Sequence, residues 1–398
     1  SKEFIMKKTV RDIDFKNKRA LVRVDFNVPM KDGKITDDFR IKSALKTIDY
    51  LMDKGAKVVL MSHLGRPKGT YKPEFSLKPV AEKLEELTGK KVVFFDIESP
   101  VNDDTVKASK DFDGSILLLQ NTRYDAGEEK NDPELAKKLA AHGDIYVNDA
   151  FGTAHRAHAS NVGVSEILPA VAGFLVEDEI KYIKENLDNP KHPFVAILGG
   201  AKVSDKIGVI DNLINKVDKI IIGGAMANTF LKAQGYDMGK SLVEDEKIDL
   251  AKDLLKESKD KNVEILLPVD LVMTDSLDDS NLIKTVKLGD DKADLMAVDI
   301  GEESIKNFSK AIKDAKLVIW NGPMGVFENK DFAKGTFEIA KAVAESDAVS
   351  IIGGGDSSLA VKLSGYEDKV THVSTGGGAS LEMMEGKELP GIKCLEEA

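Results

Sequence analysis

Only seven of the basic residues in this 398-residue chain are arginine, and none follows Arg156. Four stand where a strand should end or a loop should turn: Arg40 in Asp37-Asp38-Phe39-Arg40, Arg66 in Ser62-His63-Leu64-Gly65-Arg66-Pro67, Arg123 in Gln120-Asn121-Thr122-Arg123, and Arg156 in Ala154-His155-Arg156. A guanidinium presents a planar fork that grips a carboxylate or phosphate at two points, which an ammonium cannot do. Any one of them is as readily a surface ion-pair partner. Four in strand-end contexts point to one ligand with several negative charges. Arg11, Arg19 and Arg23 are read as structural. His63, His155 and His158 lie near these arginines but lack zinc-site spacing, so they are read as hydrogen-bonding groups and a zinc enzyme is rejected.

Beyond Arg156 the chemistry passes from arginine to glycine. A strand-like run enters a glycine-rich turn three times: Ile197-Leu198-Gly199-Gly200-Ala201-Lys202, Ile351-Ile352-Gly353-Gly354-Gly355-Asp356-Ser357, and Val373-Ser374-Thr375-Gly376-Gly377-Gly378. Glycine lets backbone N–H groups approach phosphate, and a following helix adds its unpaired N–H groups and positive dipole end. One such turn is as easily tight packing; three, the first followed by Lys202 and Lys206, point to phosphate. Asp356 can cap its helix and also face a magnesium ion beside nucleotide phosphates. Trp320 to Glu328 offers apolar surface, an amide and a carboxylate, suited to a base and ribose. Gly235 to Ser241 ends like a Walker A loop but has three residues between its glycines where four are required, and no turn carries G-x-G-x-x-G.

These residues need a scaffold that brings strand ends together. Strand-length apolar runs recur at 20–24, 58–61, 92–95, 116–119, 145–147, 194–198, 220–222, 265–267, 317–320 and 349–352. Helically spaced stretches with Lys/Glu faces alternate with them at 77–87, 133–141, 203–217, 245–255 and 332–344. The alternation predicts an α/β fold of two doubly wound parallel-sheet (Rossmann-like) domains, in which ligands dock at the carboxyl ends of strands. A charged helix over 177–187, stopped by Pro190 and Pro193, predicts the domain junction. The expected layout is 1–174, an interdomain helix and hinge at 175–190, 191–381, and a tail at 382–398.

Length alone exceeds what one core usually supports. The formal charge of −11 argues against nucleic acid or an anionic membrane as main partner, so any anion site must be local. The single cysteine, Cys394, fits a reducing compartment, and the cytoplasm is expected. Neither a membrane span nor a secretion signal is read. Ser1 to Ile5 precede a possible natural start at Met6 and are expected to be an expression remnant.

With those segments on the page, the chain resembles the phosphoglycerate kinase family over essentially its whole length. Six segments in order carry the likeness: Arg23 to Pro29, Ser62 to Pro67, Asn148 to Arg156, Leu198 to Lys206, Trp320 to Glu328, and the glycine turns near Gly353 and Gly376. The resemblance implies that Asp25, Asn27, Arg40, His63, Arg66, Arg123 and Arg156 hold 3-phosphoglycerate on the N-terminal domain. It implies that Gly200, Ala201, Lys202, Lys206, Asn321, Pro323, Glu328, Gly353, Gly354, Gly355, Asp356 and Ser357 hold the adenine nucleotide on the C-terminal domain, with Asp356 near Mg2+. It also implies a tail, after about residue 382, that returns to the first domain. Gln120, Tyr124, Ala225 and Asp294 depart from the usual pattern, the last two near the base pocket.

The reaction implied is reversible transfer from 1,3-bisphosphoglycerate to MgADP, giving 3-phosphoglycerate and MgATP. Arg40 and Lys202 are expected to flank the transferring group, with the Gly376 and Gly377 turn donating amides to its oxygens. Domain closure and a monomer are expected. A dehydrogenase on the same scaffold should carry the missing dinucleotide fingerprint, and a non-catalytic sensor should tolerate loss of Lys202.

Overall fold

Aliphatic runs with almost no exposed position build the centre of each half of the chain, as parallel strands buried on both faces require. The computed structural model describes residues 6–292 and 294–398; the expected remnant at 1–5 lies outside the described residues. The chain divides into two units, one of residues 1–181 with 388–398 and one of residues 182–387.

In the first unit, β1 (Arg19–Arg23), β2 (Lys57–Met61), β3 (Val92–Phe94), β4 (Ile116–Leu118), β5 (Ile145–Asn148) and β6 (Ala170–Ala172) form one parallel sheet in the order β3-β4-β2-β1-β5-β6. The helix Phe39–Asp53 turns Ile41, Ala44, Ile48 and Leu51 inward, and they join Val22, Leu60 and Val147 in the core. The tail docks on this unit: Lys8 N donates to Glu396 O (2.8 Å), Glu396 N to Ala170 O (2.9 Å), and Gly391 N to Ala154 O (2.7 Å). Its handover comes later than 382, because the helix Gly378–Met384 and Gly386 stay with the second unit, where Asn212 Nδ2 donates to Met384 O at 2.7 Å.

The second unit repeats the plan with β7 (Phe194–Leu198), β8 (Lys219–Ile222) and β9 (Glu264–Leu266) on one side, then a small sheet not anticipated above. That sheet is antiparallel: β10 (Asp270–Thr274) lies between β11 (Ile283–Lys287) and β12 (Met296–Ile300), over Leu231, Met238, Leu271, Met273 and Val286. The chain returns to the parallel sheet with β13 (Leu317–Asn321), β14 (Val349–Gly353) and β15 (His372–Val373), giving the order β9-β8-β7-β13-β14-β15. The helix expected over 177–187 starts earlier, at Phe174, and is not uniform: Phe174–Glu179 is α-helical, Ile180–Glu185 has wider π-helical turns, and Asn186–Asp188 is α-helical again. The boundary between the units falls inside the wide turns.

Candidate active site

Strand order decides which loops meet. In the first unit β4, β2, β1 and β5 are consecutive, so the segments after their carboxyl ends, which contain Arg123, His63 to Arg66, Asp25 to Asn27 and Arg156, share one edge. Three of these segments interlock. Arg40, half-buried in the first turn of the helix Phe39–Asp53, donates through Nη1 to Asn27 O (2.7 Å) and Asp25 Oδ1 (3.3 Å). Asn27 Oδ1 accepts from Gly65 N (2.9 Å), and Gly65 O accepts from Arg123 Nη1 (3.0 Å). Asn121, fully buried, ties the same loops by donating to Leu64 O (2.7 Å) and Phe75 O (2.9 Å).

The other arginine groups are less engaged. Arg66 and Arg156 are exposed, and Arg123 Nε is buried with no hydrogen-bond partner, its nearest carboxylate oxygen being Glu129 Oε1 at 3.8 Å. His63 is 5% exposed, and burial followed by the charges of Arg23, Arg123, His158 and Arg40 pushes its pKa well below 6.5. It is therefore a neutral group in a cationic cluster. Arg23, read as structural, lies wholly inside, with Nη2 2.8 Å from His63 Nδ1.

In the second unit β7, β13, β14 and β15 are consecutive, and each of the glycine-bearing turns follows one of them. Gly199 and Gly322 cross so closely that a Cβ on Gly199 would lie 2.0 Å from Pro323 O and 2.7 Å from Gly322 O. Gly200 N donates to Pro323 O at 3.2 Å, which puts the first turn against Pro323. Asn321 joins the pieces: its Oδ1 accepts from Lys206 Nζ and its Nδ2 donates to Gly353 O (3.1 Å). Ser357, fully buried, accepts from Gly322 N (2.6 Å), and Ser358 Oγ donates to Ser374 O (3.2 Å), linking the second and third turns.

Several expectations change in detail. Trp320 is wholly buried and donates Nε1–H to Gly322 O (2.7 Å), so its ring offers no surface to a base. The helix expected from Val203 begins only at Ile207, after a 3-10 turn, which leaves Lys202 exposed on extended backbone. Burial lowers the pKa of Lys206, with Asp205, Asp356 and Glu385 opposing. Gly376 N is already engaged by Ser374 Oγ at 3.2 Å, whereas Gly377 and Gly378 N–H find no acceptor among the described hydrogen bonds. Glu328 and Ala201 are exposed. Asp356 is an exposed carboxylate in the first turn of the helix Gly355–Ser364.

A divalent cation fits this donor set in one way. Among the described residues no three His, Cys, Asp or Glu side chains form a metal cage. One carboxylate at the head of a phosphate-type turn is the complement a magnesium ion uses when it arrives on nucleotide phosphates.

A sequence model of one family, described as phosphoglycerate kinase, matches residues 10–387. The chain belongs to the phosphoglycerate kinase family. It is 57% identical over 392 residues to the phosphoglycerate kinase of Finegoldia magna, covering 98% of this chain and 99% of that one. The enzyme of Thermosipho africanus is 58% identical over 394 residues, 98% of each chain. Among solved structures, the phosphoglycerate kinase of Coxiella burnetii superposes with a TM-score of 0.87 at 41% identity and that of Pyrococcus horikoshii with 0.83 at 34%, each match covering 98% of both chains. The α/β architecture of two parallel-sheet units is thus the family's. Of the residues that matter to the edge, Asn121 and the Arg23–His63 bond were missed. The run Gln120-Asn121-Thr122-Arg123 contained the signal for the first, and nothing in the sequence spacing reveals the second.

Proposed function

We propose that this chain transfers a phosphoryl group between the acyl phosphate of 1,3-bisphosphoglycerate and ADP, with the acceptor bound at the arginine edge and the nucleotide at the glycine turns. One observation carries the division of labour: every arginine lies in the first unit and all three glycine turns in the second. In this reading Asp25, Asn27, Arg40, His63, Arg66, Arg123 and Arg156 hold phosphoglycerate. Gly200, Ala201, Lys202, Lys206, Asn321, Pro323, Glu328 and Gly353 to Ser357 hold the nucleotide.

In the direction of ATP use, the attacking group is a carboxylate. It is ionised at neutral pH, so no general base is required. The barrier must then fall through positioning and charge. Arg40, anchored by Asn27 and Asp25, keeps a guanidinium half-exposed at one side of the reacting oxygens. Lys202, exposed and unanchored, brings a second charge, and the free N–H groups of Gly377 and Gly378 donate to equatorial oxygens. Asp356 would hold Mg2+, which neutralises the phosphate charge when bound. Because the two substrates belong to different units, transfer requires the units to close around them, with the wide helical turns at 180–185 as the flexing element.

The deciding assay is ADP formation from MgATP with and without 3-phosphoglycerate, with hydroxylamine to trap the acyl phosphate. Arg40→Ala and Lys202→Ala should each lower kcat by about 10²–10³, as loss of one transition-state charge does. No substrate-dependent turnover in the unaltered chain would leave a binding role instead. Small-angle scattering tests closure through a radius of gyration that shrinks only with both substrates. Sedimentation should give a monomer of 43.4 kDa. No described helix is long and apolar enough to cross a membrane, and the reading places the chain in the cytoplasm.

A further inference from the structure

Behind the arginine edge lies a buried polar chain that the reaction does not itself call for. Glu128 is fully buried after the loop that bears Arg123. Its Oε1 accepts from Ser160 N (2.8 Å) and its Oε2 from Ser160 Oγ (2.7 Å). Ser160 Oγ accepts from Arg23 Nε (2.9 Å), and Arg23 Nη2 reaches His63 Nδ1 at 2.8 Å. Arg23 Nη1 is held by Val24 O.

The direction of every link follows from proton counting. A carboxylate accepts only, so the one hydroxyl proton of Ser160 points to Glu128, and its lone pair is free for Arg23. A guanidinium donates only, so His63 Nδ1 must accept. A neutral imidazole that accepts at Nδ1 carries its proton on Nε2. Burying a guanidinium and a carboxylate costs more than an apolar pair of the same size, so stability alone is a poor reason for such a chain.

We propose that Glu128 and Ser160 are positioning residues for phosphoglycerate binding: through Arg23 they fix His63 in the tautomer whose Nε2–H donates to the substrate. The inference rests on the proposed role of His63. The chain supplies a neutral, oriented donor among cations that would otherwise draw the ligand without setting its orientation. Ser160 sits in the first turn of the π-helical Ala159–Gly163, where its N–H has no intrahelical acceptor and joins its hydroxyl on the same carboxylate.

The test combines a spectrum with a kinetic split. The chain has six histidines, so long-range proton–nitrogen spectra of the 15N-histidine-labelled protein can be assigned to His63 by its disappearance in His63→Gln. The native protein should show His63 protonated at Nε2 alone; a proton at Nδ1 overturns the proposal without any variant. Ser160→Ala and Glu128→Gln should shift that signal and raise the KM for 3-phosphoglycerate about tenfold, the worth of about 1.4 kcal/mol. The KM for MgATP and kcat should stay within about twofold. A folded variant that leaves the His63 signal unmoved, or leaves the KM for 3-phosphoglycerate unchanged, refutes the positioning role. If His63→Gln itself leaves that KM unchanged while turnover persists, the assignment of His63 to the substrate fails and this proposal with it, whereas absence of turnover in the native chain removes the kinase reading and leaves the tautomer result standing.

Discussion

Asp149 follows β5, and its surroundings make a quantitative claim about pH. It is 1% exposed, Oδ1 accepts from Leu175 N at 3.0 Å, and Oδ2 is buried without a hydrogen-bond partner. Its packing against Gly173 leaves no room for a side chain there, since a Cβ would lie 2.2 Å from Oδ1. Burial pushes its pKa from 3.8 up to about 7, against the pull of Leu175 N–H and the Thr47 hydroxyl, with Asp178 adding repulsion. Because the folded pKa is the higher one, the native state keeps this proton longer than the unfolded chain. Its stabilising contribution is complete below about pH 4, falls as pH rises, and is gone above about 7. At roughly 1.4 kcal/mol per pKa unit, the whole change is about 4 kcal/mol. Asp149→Asn removes the titration while keeping the shape. Urea unfolding of both proteins between pH 5 and 8 should therefore show the variant gaining on the native chain by about 2–3 kcal/mol, most of it before pH 7. A stability difference that is flat across that range would refute the reasoning, whatever its constant offset.

Other perturbations follow from the same geometry. Arg123→Lys keeps the charge but loses the fork, and steady-state kinetics should show the KM for 3-phosphoglycerate rising by about tenfold or more with that for MgATP unchanged. Gly199→Ala drives a methyl group into backbone at Pro323 and Gly322, so the second unit should lose about 1–3 kcal/mol in urea and nucleotide titrations should show weaker binding. Lys206→Met strands Asn321 Oδ1 and should weaken MgADP binding in calorimetry while leaving 3-phosphoglycerate binding intact. Trp320, the one tryptophan, should report unfolding of the second unit by its fluorescence yet show no direct quenching by the adenine ring.

Ten strands could be read from the chain with ends within one residue, because buried parallel strands are written as uninterrupted aliphatic runs. Two of the strands that escaped have another composition. Ala170–Ala172 is three residues of mostly alanine, and Ile283–Lys287 exposes four of its five positions, so neither stands out from a loop. The candidate site was legible in residue type and less so in direction. Arginines and glycine turns announce themselves wherever they point, but Trp320 faces the core and Arg23 faces His63, and both orientations are set by packing from distant segments. The same holds for Gly376, whose amide is taken by a serine two residues away.

The first unit is finished by the last residues of the chain. Its edge strand β6 receives Glu396 N at Ala170 O, and Ala172 N donates to Lys8 O, so both chain ends complete that border. On a ribosome the intervening stretch of about 200 residues must emerge first. At 5–20 residues per second this is about 10–40 s. During that interval the arginine-bearing half waits with an open border, and the last strand of the later-made sheet, His372–Val373, still precedes the tail, so the half that is synthesised first is the one completed last.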